Sequence, residues 1–241
     1  MAIAGLYKIF DHWHKQGTVH IISDPHFNDD ELLALVPDHP IGEELVKSIN
    51  AKVGRKDTLI CLGDVGDIEC VKKLRGYKVL ICGNHDKGAT TYQRQIYKKK
   101  FDDCIYTREE ALAEMKRLYP GCVYDVYEEC SFHAPFTSWQ VEADNRLFDE
   151  VYEGPLMISE KLILSHEPVD VPWAFNLHGH DHTGRKSDER HFNVCADVID
   201  YTPINFNQWM KEGYLSKVET IHRSTIDKAT SKSKKRKGRK K

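Results

Sequence analysis

The chain has no C-x-x-C pair, and its seven cysteines (Cys61, Cys70, Cys82, Cys104, Cys122, Cys130 and Cys195) are odd in number. A disulfide framework or a thiolate zinc site needs paired spacing, so both are disfavoured and a reducing compartment fits. No stretch approaches the roughly 18 consecutive apolar residues of a membrane span. Met1 to Lys15 lacks the cationic start and apolar stretch of a secretory leader. There is no internal repeat, and the only low-complexity segment is a basic tail. These absences lead us to expect a cytoplasmic protein with no membrane partner.

What is present suffices for a sizeable core: 40% of residues are hydrophobic, among them 11 Tyr, 9 Phe and 4 Trp. The net charge of −2 conceals an asymmetry. Residues 229 to 241 hold eight Lys or Arg and no acid, so residues 1 to 228 carry about −10. A run such as Lys234-Lys235-Arg236-Lys237 has no apolar face to bury. It is expected to be disordered, serving either as a solvated tail or as a contact for nucleic acid or another polyanion. The expected organisation is one domain over 1–228, with an insertion at 91–147, followed by the tail at 229–241.

Three short apolar runs punctuate the first ninety residues: Val19 to Ser23, Thr58 to Leu62 and Lys78 to Cys82. They read as buried strands. Between the first two, Ile41, Leu45, Ile49 and Val53 recur every fourth residue before Gly54, which predicts a helix with one buried face and a glycine cap. A shorter helix is expected around Ile68 to Leu74. Alternating strands and helices imply parallel strands with right-handed crossovers, and such sheets place ligand sites at strand C-termini. Thr107-x-x-Glu110 has the form of a capping box opening a helix that buries Ala111, Met115 and Leu118 before Pro120-Gly121. Cys122 to Tyr127 is strand-like, and the sequence from there to Leu147 looks irregular. Strands resume at Lys161 to Leu164, Ala174 to Leu177 and Phe192 to Ala196.

Polar stations follow five of these runs: Asp24-Pro25-His26, Gly63-Asp64, Gly83-Asn84-His85-Asp86, Ser165-His166 and His178-Gly179-His180-Asp181-His182. Neighbouring strands lie about 4.8 Å apart, so carboxylates and imidazoles on adjacent tips can converge on two cations roughly 3.5–4 Å apart. Oxygen and imidazole donors without thiolate suit Mn, Fe, Zn, Co or Ni rather than calcium or copper(I). Singly, each station is weak. Asp24-Pro25-His26 reads as well as an ordinary turn, and three alternating histidines as a strand face or a pH-sensitive patch. Their ordered combination carries the reading.

That order, D-x-H, G-D, G-N-H-D, H and G-H-x-H, resembles the calcineurin-like metallophosphoesterase superfamily over roughly residues 18 to 206. The resemblance implies a layered α/β fold, with β-sheets flanked by helices and a dinuclear metal site at the strand C-terminal ends. It implies that Asp24, His26 and His182 hold one metal, that Asn84, His166 and His180 hold the other, and that Asp64 bridges both. His85 is similar to the family's catalytic histidine, which protonates the leaving oxygen or stabilises the transition state. Asp67 or Asp86 would orient it. His178 flanks the matching glycine and is a weaker candidate ligand, while Arg185, Lys87 and Arg94 are candidates for contacting substrate phosphate.

The implied activity is hydrolysis of a phosphate mono- or diester by a hydroxide activated between two divalent ions, with a slight preference for diesters suggested by the basic tail. The alternatives are a non-catalytic scaffold of the same fold, or a nucleic-acid-binding protein acting through its tail. Within the insertion, Tyr92, Arg94, Tyr97 and Lys98 to Lys100 fit base stacking or an amphipathic helix equally well.

Overall fold

In the computed structural model, which describes residues 5–130 and 137–219, each polar station stands at the end of a short strand. After a 3-10 helix at Lys8–His14, the first strands and α-helices in chain order are β1 (Val19–Ile22), α1 (Asp30–Leu35), α2 (Gly42–Lys52), β2 (Thr58–Cys61), α3 (Ile68–Val71), β3 (Tyr77–Ile81) and α4 (Ala89–Tyr92). Then come β4 (Ile96–Asp102), α5 (Arg108–Leu118), β5 (Val123–Cys130) and β6 (Thr137–Asp144). The chain continues through β7 (Glu150–Tyr152), β8 (Leu156–Ser159), β9 (Leu162–Leu164), β10 (Phe175–His178), β11 (His191–Asn193), β12 (Ile204–Asn205) and α6 (Phe206–Trp209).

The strands form a five-stranded sheet of order β12-β1-β2-β3-β7, a four-stranded sheet of order β11-β10-β9-β8 and a three-stranded sheet of order β4-β6-β5. In the first, β1, β2, β3 and β7 run parallel, so the tips of β1, β2 and β3 emerge on one edge. In the second, β9, β10 and β11 run parallel. The two sheets meet where Ser23, just past β1, bridges to Cys195, just past β11. There the Ser23 amide donates to Val194 O (2.9 Å), and the Ala196 amide donates to Ser23 O (2.9 Å). Five strand tips are thereby delivered to one place.

One apolar cluster runs through both larger sheets and the helices beside them, from Val19, Ile21 and Leu59 to Leu164, Leu177 and Phe206. β1, β2 and β10 are buried along their whole length, so they lack the polar-out alternation of a half-exposed strand, and the polar residues within them, such as His20 and Asn176, are buried too. α2 buries Leu45, Val46 and Ile49 as its periodicity requires. Its N-terminal boundary differs from expectation: Ile41 is the N-cap, its backbone is extended and not helical, and its side chain is 54% exposed. Gly54 is not a left-handed cap either; its amide donates to Asp57 Oδ2 (2.7 Å).

The largest departure is in 91–147. The stretch read as irregular contains β6, which pairs antiparallel with both β4 and β5. Trp139, Val141 and Ala143 alternate along β6 and pack with Phe101, Ala111 and Met115 in a second, smaller cluster, so the period-two pattern was present. Tyr97 to Lys100 is likewise strand and not helix. Lys98 pairs with Glu142 (2.6 Å) and Lys100 with Glu129 (2.7 Å) across the sheet, which occupies those cations locally. The Thr107–Glu110 capping box is present, but Leu118 at the end of α5 is exposed. Residues 229–241 lie outside the described residues. Among the described residues no helix is long and apolar enough to cross a membrane.

Candidate metal centre

Asp24, His26, Asp64, Asn84, His166, His180 and His182 come together where the two sheets meet. The β1 tip supplies Asp24 and His26, the β2 tip Asp64, the β3 tip Asn84, the β9 tip His166 and the β10 tip His180 and His182. Three overlapping groups of donor atoms result, each within 4.8 Å of its own members: Asp24–His26–Asp64, Asp64–His166–His180 and Asp24–His182–Cys195. Asp24 and Asp64 are each shared by two groups. Such overlap is the arrangement two neighbouring cations require.

The backbone bends sharply to achieve this. Asp24 (φ 53°), His26 (φ 37°), Asp64 (φ 51°) and His180 (φ 67°) are four of the eight described non-glycine residues with left-handed backbone. Each such residue costs on the order of 1–3 kcal/mol and persists where the surroundings over-determine it, as at functional sites. Gly63 (φ 95°) makes the turn into Asp64, and a Cβ there would lie 2.7 Å from His166 Nδ1. At Gly179 a Cβ would overlap the Asp24 carboxylate and the Ser23 hydroxyl, so glycine here provides room for the ligands.

His26, His166 and His182 are each held by one ring nitrogen and aim the other inward. His26 Nδ1 donates to Asp29 Oδ2 (2.7 Å), His182 Nδ1 to Asp197 Oδ2 (2.6 Å) and His166 Nδ1 to Leu62 O (2.8 Å). This leaves Nε2 of each ring facing the centre. A carboxylate or carbonyl behind a ligating imidazole fixes its tautomer and raises its basicity. His166 Nε2 lies 2.8 Å from Asn84 Oδ1, 3.2 Å from Asp64 Oδ2 and 3.1 Å from His180 Nδ1, four metal-type donors crowded around one spot.

Charge explains the titration behaviour. Burial works to lower the His166 pKa, but the hydrogen bond to Asp64 and the charges of Asp24 and Asp64 raise it to about 9. His182 is also raised, chiefly by its bond to Asp197. Burial opposes ionisation of Asp64, yet bonding to His166 and the His85 amide holds it below the ordinary carboxylate value. The carboxylates thus favour the protonated imidazole of His166 when no metal is bound. Asp24 is completely buried, and its Oδ2 accepts from the His180 amide (2.7 Å). Its Oδ1 is buried with no hydrogen-bond partner. An unpaired carboxylate oxygen out of water is costly unless something positive meets it, and the surrounding donor set fits a divalent ion.

His85 stands exposed at the rim, its ring centroid 5.8 Å from that of His26, while its amide donates to Asp64 Oδ1 (2.9 Å). Asp86 accepts from the amides of Gly83 (2.8 Å), Asp64 (2.9 Å) and Val65 (3.2 Å), tying the β2 and β3 tips together. Asp67 caps α3 and accepts from Asn28 Nδ2 (2.8 Å). No hydrogen bond joins either carboxylate to the His85 ring among the described residues. His178 turns away: it donates to Gly179 O (2.8 Å), stacks edge-on with His191 and lines a separate cavity with Arg185. Arg94 is engaged by Asp144 and Asp149 (2.6 and 2.5 Å).

Three participants escaped the sequence reading. Asp29 follows His26 by three residues and caps α1 as well as holding the imidazole, so the N-cap pattern could have revealed it. Asp197 accepts from His182, from buried His39 (3.1 Å) and from Tyr201 (2.8 Å), and these bonds hold its carboxyl far below the usual range despite burial. Nothing in its spacing marked it. Cys195 was set aside with the other thiols, yet it is buried against Asp24; burial and the Asp24 and Asp197 charges push the thiol well up.

No family model matches the chain, and no curated protein matches it. Among solved structures, it is similar to the crystal structure of a protein of unknown function, AQ665 from Aquifex aeolicus. The two are 20% identical with a TM-score of 0.49, over 81% of this chain and 98% of that one.

Proposed function

We propose that the chain is a metal-dependent phosphoesterase of the calcineurin-like type, hydrolysing a phosphate mono- or diester at a dinuclear centre. The observation that carries this reading is Asp24 Oδ1, a buried carboxylate oxygen without a hydrogen bond in a ring of inward-facing imidazoles. In the proposed arrangement Asp24, His26 and His182 would hold one divalent ion and Asn84, His166 and His180 a second, with Asp64 available to both. When bound, such a pair supplies Lewis-acid stabilisation of charge on a phosphoryl group and makes water nucleophilic near neutral pH.

The protein's own groups do the rest. Asp29, Asp197 and the Leu62 carbonyl keep three imidazoles in the tautomer that presents Nε2. Asp86 fixes the backbone of Asp64 and, through Gly83, the turn that carries Asn84 and His85. His85, exposed at the rim and anchored by its amide to Asp64, is assigned the proton delivered to the leaving oxygen. Beside Asn84 and His166 lies a cleft of about 250 Å³ that Glu153 and Glu167 border, room for part of a leaving group.

Turnover of aryl phosphate monoesters and diesters by the purified chain, with each of Mn, Fe, Zn, Co and Ni, tests the reading. Metal-dependent hydrolysis of either class is expected. A chain that binds these ions yet leaves both classes intact is a scaffold and not an enzyme.

A further inference from the structure

The dinuclear reading assigns oxygen and nitrogen ligands only, and sulfur has no part in it. Cys195 is nevertheless within 4.8 Å of both Asp24 and His182 by ligating atoms. It is fully buried, directly beyond β11, and the bridge between Ser23 and Cys195 fixes its backbone against the residue preceding Asp24. The Cys195 amide donates to Asn193 Oδ1 (2.9 Å), which further locks the turn.

A buried cysteine normally packs as a small apolar group. Cys195 instead donates its thiol to Asp197 Oδ2 (3.8 Å), and ligating atoms of Asp24 and His182 lie within 4.8 Å of its sulfur. The unpartnered Asp24 Oδ1, 3.9 Å from His182 Nε2, faces the same space. Zinc-type ions take sulfur at about 2.3 Å and nitrogen at about 2.0–2.1 Å, so donors at tetrahedral angles about one ion lie roughly 3.3–3.7 Å apart. From separations of up to 4.8 Å, shifts of up to about 1 Å would close this triad on a cation.

We infer that Cys195 is an additional ligand, as thiolate, to the ion held by Asp24, His26 and His182. The inference rests on the dinuclear reading and adds the class of ion at this position. On binding, the S–H bond gives way to a sulfur–metal bond and the proton leaves to solvent, the exchange that metal sites with cysteine ligands require. A thiolate biases this position toward zinc, cobalt, iron or cadmium and against manganese and magnesium, which prefer oxygen.

The test is the electronic spectrum of the full chain loaded with cobalt(II), as wild type, Cys195→Ser, Cys195→Ala and Cys82→Ser. A sulfur-to-cobalt charge-transfer band in the near ultraviolet is expected in wild type and Cys82→Ser and absent in both Cys195 variants. Cadmium affinity should fall at least about tenfold in Cys195→Ser, with manganese affinity changing less than about threefold. Cobalt bound without the band, or a band that survives Cys195→Ser, overturns the thiolate and leaves the dinuclear reading standing. No bound cobalt at all overturns both. Should the Cys195 variants fail to fold, cadmium-113 magnetic resonance of the wild type decides: one thiolate moves the resonance far downfield, and a shift typical of oxygen and nitrogen ligands alone overturns the inference.

Discussion

His182 donates through Nδ1 to Asp197 Oδ2 at 2.6 Å, while the other oxygen of the same carboxylate accepts from His39 at 3.1 Å. Asp197 thus anchors a proposed ligand to a buried histidine that is itself bonded to Pro25 O, in the loop between Asp24 and His26. Asp197→Asn replaces one acceptor oxygen by an amide and weakens this hold on the imidazole tautomer. It is expected to lower metal affinity by about 10–100-fold while preserving the fold. Calorimetric metal titration beside a circular dichroism spectrum checks this, and unchanged affinity would remove Asp197 from the account.

His85→Ala should separate chemistry from metal binding. The His85 amide, which bonds Asp64, survives the substitution, so the metal content is expected to stay at the wild-type level. Turnover should fall roughly 10²–10⁴-fold if proton delivery is lost. Elemental analysis together with steady-state kinetics distinguishes the roles; loss of metal would make His85 a structural residue.

Asp86 is predicted to be a stability residue. Its half-buried carboxylate satisfies three backbone amides at the β2 and β3 tips, and Asp86→Ala leaves all three without this partner. The expected loss is at least about 2 kcal/mol of unfolding free energy. Urea denaturation measures it, and a loss below about 1 kcal/mol would mean that water replaces the carboxylate.

Metal affinity should depend on pH through His166. Its folded pKa of about 9 lies above the ordinary 6.5, so a proton must leave before a cation binds. Apparent affinity is expected to rise about tenfold per pH unit from roughly 6.5 toward 9 and then level. For the metal-free chain the sign reverses. A raised pKa contributes stability that is fully present below 6.5 and is lost as pH rises through about 9. Metal titrations and metal-free melting curves across this window should therefore run in opposite directions, and parallel trends would contradict the assignment.

The strands that deliver the site were legible because β1, β2, β3, β9 and β10 are buried apolar runs that stop at a polar residue. The seven residues from Asp24 to His182 could be gathered on paper because parallel strands put their tips on one edge. What stayed hidden depends on contacts between distant segments. Asp197 and Cys195 reach the centre only because the β11 extension pairs with Ser23, and no local pattern encodes that pairing. β6 was missed for another reason: its alternation of Trp139, Val141 and Ala143 is interleaved with polar residues and follows a sequence without strand punctuation. Ile41 and Leu118 show that a helical period fixes a face but not where the helix begins or ends.

The central claim is that Asp24, Asp64 and their imidazole partners hold a pair of divalent ions, with Asp64 common to both. Metal stoichiometry of the full chain, measured by titration for wild type and Asp64→Ala, tests it most directly. The account predicts two ions per wild-type chain, and loss of both together with activity in the variant. A wild-type chain that binds none, or an Asp64→Ala chain that keeps two and remains active, would contradict it.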